Sequence, residues 1–354
     1  MGLLRVLLAV SVFMAHAPQS GLTQGLRGFG GSNAVEIFFI VSGFYIALIL
    51  DKSYSTRMGF YKNRILRLYP IYYIICGLAL MQAVFSPSLR ESLISFPAKA
   101  LTLGTIVNST FLGSDWLMFL QWHNGNLRFG DFNNSELPLW HMLLVPQSWS
   151  IGIEVTFYLL APMLCKAKSL TIAVVGIVLL AARFGGGLFL GLNQDPWTYR
   201  FFPFEVPMFL IGILLYRLRT YRGDSFKIRL SKIYPLLITF YVSFSYLTAK
   251  FSMNQFWQML ILIILTCIVV MWGEEKSQDK KLGDLSYPIY MSHVLVISTY
   301  SGIISILSSK LPLFEELNNP LLAIPISLVI TILFSSLLLR LVRPVEKIRD
   351  KNRK

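Results

Sequence analysis

The chain has 354 residues, 55% of them hydrophobic and only 14% charged, with a mean hydropathy of +0.60. Soluble domains usually have about 45–50% apolar and about 25% charged residues, so this composition excludes an ordinary soluble protein. The net charge of +14 does not indicate nucleic-acid binding, because the basic residues form short clusters between apolar runs, as in cytoplasmic loops. The three cysteines have no metal-ligand spacing and are expected to be small core residues.

A helix that crosses a bilayer needs roughly 20 predominantly apolar residues. The sequence predicts an all-α, polytopic integral membrane protein with about ten transmembrane helices. These lie near residues 3–18, 35–50, 69–86, 149–165, 169–189, 201–216, 233–249, 256–272, 286–308 and 320–341.

The distribution of basic residues predicts the topology. About three quarters of the 32 lysines and arginines lie on one side if the N-terminus is cytoplasmic and residues 97–122 do not cross the membrane. We therefore predict cytoplasmic N- and C-termini and a long, partly re-entrant outer segment over 87–148. One transmembrane domain is expected over 1–345, with a basic cytoplasmic tail over 346–354.

The first apolar run carries Arg5 and His16, which lie on one face of a helix about 16 Å apart along its axis. The run imitates a signal peptide that ends at Ala15-His16-Ala17, but the charge bias already explains an uncleaved first helix. His16 is then either a packing residue or a catalytic base, because imidazole exchanges protons near neutral pH.

The second run, NAVEIFFIVSGFYIALIL, has Glu36 at its outer end and Ser42 one to two turns deeper. Because helices one and two run antiparallel, Glu36 and His16 can lie at similar depth, where a carboxylate can orient an imidazole. The alternative is that Glu36 is a solvated acid at a helix start.

Arg64 and Arg67 share a helix face at the predicted inner membrane edge. Two guanidinium groups there can bind phosphate groups with paired hydrogen bonds. The alternative is that they anchor lipid phosphates and set the topology.

Later runs add further polar residues. Glu154 follows Trp149 and Ser150 into an apolar helix and needs a partner inside the bundle, such as a buried arginine or His293. His293 itself lies inside the ninth predicted helix, which begins at Ser286 and Tyr287.

The predicted outer segment contains two histidines and two acids, whose spacing matches no metal motif: His123, His141, Asp115 and Glu136. We expect these residues in a solvated loop and predict no metal site.

Five motifs occur in a fixed order: Arg-x10-His, FF-x-x-SGF, Arg-x-x-Arg-x-Tyr-Pro, WS-x-x-x-E-x-x-FY and G-x-x-SY-x-x-Y-x-x-H. This ordered set resembles the membrane-bound acyltransferase family 3, over nearly the whole chain, with Glu36 where the family usually has Asp. The family modifies surface carbohydrates with acetyl or other short acyl groups. The chain looks like the stand-alone type, without an extra extracytoplasmic domain.

The resemblance implies an O-acetyltransferase of the bacterial inner (cytoplasmic) membrane, with acetyl-CoA as donor and a surface polysaccharide or lipopolysaccharide O-antigen as acceptor. His16 and Glu36 are then the predicted catalytic residues, and Arg5, Arg64 and Arg67 the predicted contacts of acetyl-CoA. A second group is expected to have substrate or structural roles: Ser42, Trp149, Ser150, Glu154, Tyr287 and His293.

Two other functions remain open. One is transfer of a succinyl or other short acyl group to an exopolysaccharide or to peptidoglycan. The other is transport of a glycan or lipid-linked sugar without chemistry, which buried ionisable groups in a helix bundle also fit. Transporters often contain internal repeats, and the two halves of this sequence show no clear repeat.

Overall fold

The computed structural model describes residues 1–18, 27–53, 56–86, 90–91, 95–130, 132–135, 137–223, 228–274 and 277–351. The α-helices within these ranges are α1 (Gly2–His16), α2 (Gly31–Lys52), α3 (Arg57–Phe85), α4 (Ala98–Thr110), α5 (Ser148–Leu164), α6 (Ser169–Phe189), α7 (Phe202–Arg222), α8 (Leu230–Lys250), α9 (Gln255–Trp272), α10 (Ser277–Asp284), α11 (Ser286–Lys310) and α12 (Pro320–Lys351). Each of the ten predicted spans falls on one of these helices.

Six helical segments in the described ranges are long and apolar enough to cross a membrane: Gly31–Lys52, Arg57–Phe85, Ser169–Phe189, Gln255–Trp272, Ser277–Lys310 and Pro320–Arg349. The apolar helices Gly2–His16 and Ser148–Leu164 are shorter. The all-α class is confirmed, and the chain is a multi-pass membrane protein. Ten spans and cytoplasmic termini stay predictions.

Short elements fill the segment that we predict on the outer side. The helix α4 has 13 residues and is about 20 Å long at 1.5 Å per residue, less than the ~30 Å thickness of the hydrocarbon core. Strands β1 (Leu120–His123) and β2 (Asn126–Phe129) form an antiparallel hairpin. Its turn residues Asn124 and Gly125 both have positive φ, which is the requirement of a tight two-residue turn.

This segment has a core of its own, so the prediction of a solvated loop is wrong for Asp115. The ring centroid of Phe111 lies 4.0 Å from that of Tyr72 on α3, and Phe119 is buried. Asp115, between them in sequence, is 2% exposed, and one carboxyl oxygen has no hydrogen-bond partner in the described residues. Burial raises the pKa of the Asp115 carboxyl to about 7. His141 is exposed and His123 half-buried, while Glu136 lies outside the described residues.

The raised pKa of Asp115 predicts a pH-dependent stability. Between its ordinary value of 3.8 and about 7, the folded protein holds a proton that the unfolded chain has released. The free energy of unfolding should therefore fall as the pH rises from about 4 to about 7 and level off above that. We expect Asp115→Asn to flatten this dependence on pH, measured by melting curves of the purified protein at several pH values. Asp284→Asn, which replaces an exposed carboxylate, is the control and should leave the dependence unchanged. Equal slopes for wild type and Asp115→Asn would contradict the assignment.

The chain divides into two compact units. The first unit consists of residues 1–38 and 218–347, and the second of residues 39–217 and 348–354. In the first unit, α1 packs against α8, α10 and α11. The carboxylate of Asp279 on α10 accepts hydrogen bonds from the backbone N–H groups of Gly2 and Leu3, at 2.8 and 3.1 Å. It thereby satisfies donors that the first turn of a helix leaves unpaired.

In the second unit, two helices approach closely through glycines. A Cβ atom on Gly43 of α2 would clash with the carbonyl oxygen of Phe209 on α7, and one on Gly212 would clash with that of Ile40. Close backbone approach of this kind is a common mode of helix association in membranes. The SGF motif thus has a packing role at its glycine.

Gly43→Ala should therefore destabilise the protein. The methyl group meets backbone atoms, which cannot rotate away, and overpacking typically costs about 1–3 kcal/mol. Gly77→Ala on α3 is the matched control, because a Cβ there meets nothing within 4 Å, and alanine favours a helix by up to ~1 kcal/mol over glycine. The melting temperature in detergent should fall for Gly43→Ala and should stay the same or rise for Gly77→Ala. A fall of equal size in both variants would contradict the packing account.

Candidate active site

Two histidines far apart in sequence meet in the first unit. His16 is the last residue of α1, and His293 lies two turns into α11. Their ring centroids are 4.9 Å apart at an interplanar angle of 61°, and Nε2 of His293 lies 3.3 Å from Nδ1 of His16. The side chain of His293 is fully buried, whereas that of His16 is exposed.

The neighbouring carbonyl groups determine where the protons lie. His293 Nδ1 is 2.7 Å from the carbonyl oxygen of Tyr290, and His16 Nδ1 is 2.9 Å from that of Val12. A ring nitrogen facing a carbonyl oxygen carries hydrogen, so both Nδ1 atoms are donors. His293 Nε2 must then accept from His16 Nδ1–H, because two N–H groups would repel. His293 Nε2 is thus the acceptor that holds the hydrogen of His16 on Nδ1.

Glu36 is buried in α2, with 1% exposure. The residues around it contact both histidine-bearing helices: Gly31 lies against Ala15 of α1, and the ring of Phe38 is 6.1 Å from that of Tyr290. The alternative, that Glu36 is a solvated acid at a helix start, is therefore wrong. That Glu36 orients His16 stays a prediction.

Arg5 lies at the opposite end of α1 from His16. Its guanidinium group packs over Gly283, at the end of α10, where a Cβ atom would lie 3.1 Å from Arg5 Nη1. The missing side chain of Gly283 leaves room for the guanidinium group there. Contact of Arg5 with acetyl-CoA stays a prediction.

In the second unit, Ser42, Arg64, Glu154 and Tyr158 form a cluster, here called the Glu154 cluster. The hydroxyl groups of Ser42 and Tyr158 both donate to the same carboxylate oxygen of Glu154. The guanidinium carbon of Arg64 lies 5.7 Å from the ring centroids of both Tyr158 and Phe60, within cation–π range. Glu154 thus has hydrogen-bond partners inside the protein, as expected, but they are hydroxyl groups and not a buried arginine or His293.

Arg64 is buried to 4% exposure, and its Nη2 donates to Asn63 Oδ1 at 3.0 Å. Arg67, one turn further along α3, is half-buried. The phosphate-binding role of these two arginines stays a prediction, and a phosphate would reach Arg67 more readily than Arg64.

Three more residues of the second predicted group are Trp149, Ser150 and Tyr287. The ring centroid of Trp149 lies 4.4 Å from the guanidinium carbon of Arg200. Arg200 in turn donates two hydrogen bonds to the carboxylate of Asp195, at 2.6 and 2.9 Å. Ser150 donates to the carbonyl oxygen of Gln147 at 3.1 Å at the start of α5. Tyr287 lies half-buried in the first turn of α11.

These observations define a helical membrane protein with a paired-histidine site. The family model described as Acyltransferase domain, that of acyltransferase family 3, matches residues 1–340. The chain therefore belongs to this family, which confirms the resemblance found in the motifs.

The similarity to named relatives covers part of this chain. O-acetyltransferase OatA of Staphylococcus aureus is 28% identical over 167 residues, which cover 45% of this chain and 23% of the relative. Putative peptidoglycan O-acetyltransferase YrhL of Bacillus subtilis is 27% identical over 165 residues, which cover 43% of this chain and 23% of the relative. An uncharacterized protein of Haemophilus influenzae is 25% identical over 252 residues, which cover 66% of this chain and 94% of the relative. The chain spans about a quarter of the length of OatA and YrhL, and no solved structure matches it.

Proposed function

We propose that this chain is an O-acetyltransferase of the bacterial inner membrane that moves an acetyl group from acetyl-CoA to a hydroxyl group of a cell-surface glycan. Family membership supports acyl transfer, and the printed names of OatA and YrhL support O-acetylation. The single observation that carries the proposal is the His16–His293 pair, in which the buried His293 holds the exposed imidazole of His16 at the end of α1 through its Nδ1.

His16 acts as the general base in this proposal. Its Nε2 takes the proton of the acceptor hydroxyl as that oxygen attacks the thioester carbonyl. The C–O bond of the new ester forms, the C–S bond breaks, and the sulfur leaves as coenzyme A after receiving the proton from His16. His293 accepts the hydrogen bond of His16 Nδ1–H throughout, so it positions the base without touching the reacting atoms.

Arg64 and Arg67, with Arg5, are the proposed contacts of the coenzyme A phosphates. We expect Arg67→Gln to raise the KM for acetyl-CoA about tenfold, the equivalent of one lost charge-assisted hydrogen bond. The KM for S-acetyl-N-acetylcysteamine, a thioester without phosphates, should not change. Lys52→Gln, at an exposed cation of α2, is the control. Equal effects of Arg67→Gln on both donors would contradict a phosphate contact.

The acceptor in this proposal is a polysaccharide or lipopolysaccharide O-antigen. Peptidoglycan is the second candidate, and the printed name of YrhL is the observation that favours it.

The experiment for the proposed function is acetyl transfer by purified protein. Radiolabelled acetyl-CoA is incubated with the protein in proteoliposomes and with lipopolysaccharide or peptidoglycan glycan strands. We expect alkali-labile label in one glycan, as an O-acetyl ester requires. Movement of glycan across the vesicle membrane without incorporation of label would contradict the proposal and favour a transporter.

A further inference from the structure

The first unit contains a cavity of about 660 Å³ that the sequence analysis did not anticipate. It lies between the end of α1, the start of α2, the end of α8 and the start of α9. Ligand sites commonly have volumes of about 300–1,000 Å³. Most of its wall consists of glycine backbone and of serine, threonine, asparagine and glutamine side chains. Arg27 is the one charged residue among the described residues of the wall.

Asn33 provides an unmet hydrogen-bond acceptor in this wall. It is 2% exposed, and its amide nitrogen donates to the carbonyl oxygen of Phe29 and to Gln258 Oε1, each at 3.1 Å. Its oxygen, Oδ1, accepts no hydrogen bond from any described residue. A buried acceptor left unpaired costs about 1–3 kcal/mol, so a ligand that donates a hydrogen bond here gains affinity.

The first turn of α2 provides donors at the same place. Gly31, Ser32 and Asn33 all line the cavity, and the first N–H groups of a helix have no partner within the helix. Several other wall groups already bond to each other: Ser245 accepts from Gly28, and Gln258 donates to the carbonyl oxygen of Met253. The cavity therefore offers backbone donors and, at Asn33 Oδ1, a buried acceptor that no described residue satisfies.

The position of the cavity links it to the histidine pair. Ala15, the residue before His16, lines it and contacts Gly31. A ligand with many hydroxyl groups matches the mixture of donors and acceptor, because each hydroxyl both donates and accepts. Arg27, which is exposed, adds attraction for an acidic group on that ligand.

We propose that this cavity binds a saccharide unit of the acceptor glycan, with Asn33 as a specificity-determining residue that accepts a hydrogen bond from a sugar hydroxyl. The inference rests on the proposed function for its ligand class. It places the acceptor at the His16 end of α1, and it makes saccharide binding a property that can be measured without catalysis.

Saccharide binding by the full chain in detergent, followed by saturation-transfer NMR, tests this proposal. The probes are the disaccharide of N-acetylglucosamine with N-acetylmuramic acid, which is acidic, and the neutral N,N′-diacetylchitobiose. Ala249→Leu fills the cavity from an exposed position without removing a hydrogen bond, and Asn33→Leu removes the acceptor. Val242→Leu, at an exposed residue of α8 that does not line the cavity, is the control.

We expect the wild type and Val242→Leu to bind a probe, and Ala249→Leu and Asn33→Leu to weaken binding about tenfold or more. Arg27→Gln should weaken binding of the acidic probe alone. Unchanged binding in Ala249→Leu, or no binding of either probe by the wild type, would overturn the cavity assignment. Binding that depends on the cavity, together with no acetyl transfer, would keep the saccharide site and refute the transferase.

Discussion

His16→Ala is expected to lower the rate of acetyl transfer by about 10²–10⁴-fold, the usual contribution of a general base. The imidazole is the proposed base, and its Nδ1 lies within hydrogen-bond distance of the carbonyl oxygen of Val12 and of His293 Nε2. Alanine removes it and keeps the helix, because His16 is the last residue of α1. The KM for acetyl-CoA should change little.

The measurement is the initial rate of labelled ester formation with purified variants. His123→Ala is the matched control, because this histidine lies in the β1–β2 hairpin in the second unit and contacts its neighbour Asn124. We expect His123→Ala to keep the wild-type rate. A His16→Ala rate within about twofold of wild type would make His16 a packing residue, and the base would have to be sought elsewhere.

His293 is expected to have the second largest effect, about 10- to 100-fold on the rate, the range typical of residues that orient a functional group. His293→Leu keeps much of the volume and removes the acceptor that fixes the Nδ1–H tautomer of His16. His293→Gln retains a side-chain acceptor and should recover part of the rate.

The contrast between the two substitutions separates positioning from packing. A positioning role predicts that His293→Leu lowers kcat, leaves the KM for acetyl-CoA and the melting temperature near those of wild type, and is slower than His293→Gln. If both variants lose rate and thermal stability in parallel, the residue acts through folding alone.

Much of the fold follows from local patterns. Apolar runs of about 20 residues must satisfy their backbone groups internally in a membrane, so they become helices, and every predicted span coincides with one. The close packing at Gly43 and the need of Glu154 for an internal partner also follow from the residues themselves, since a small side chain permits contact and a buried charge demands a partner.

The pairing within the site does not follow from local patterns. His16 and His293 are separated by 277 residues, and only the packing of α1 against α11 brings them together. Both residues stand in family motifs, but the sequence does not indicate that they pair; that Glu36 orients His16 stays a prediction. Periodicity reports which face of a helix is apolar but not which distant helix covers it.

Asp115 and the Glu154 cluster illustrate the same limit. Asp115 stands among Gly113, Ser114 and Trp116, a composition typical of a loop, but it is only 2% exposed, and its backbone lies against Gly152 of α5. Glu154 was expected to meet a cation or a histidine, whereas its contacts are the hydroxyl groups of Ser42, 112 positions away, and of Tyr158. Burial of a polar group depends on tertiary neighbours that its own stretch of sequence does not specify.

The most direct test of the central claim is the O-acetyl content of surface glycans in the native host. The gene for this chain is deleted, and wild type or His16→Ala is returned at membrane levels matched by immunoblot. Proton NMR of the extracted glycans then counts the O-acetyl groups. We predict that deletion removes a set of acetyl signals, wild type restores it and His16→Ala does not. Acetyl signals that are the same in all four strains would contradict the account.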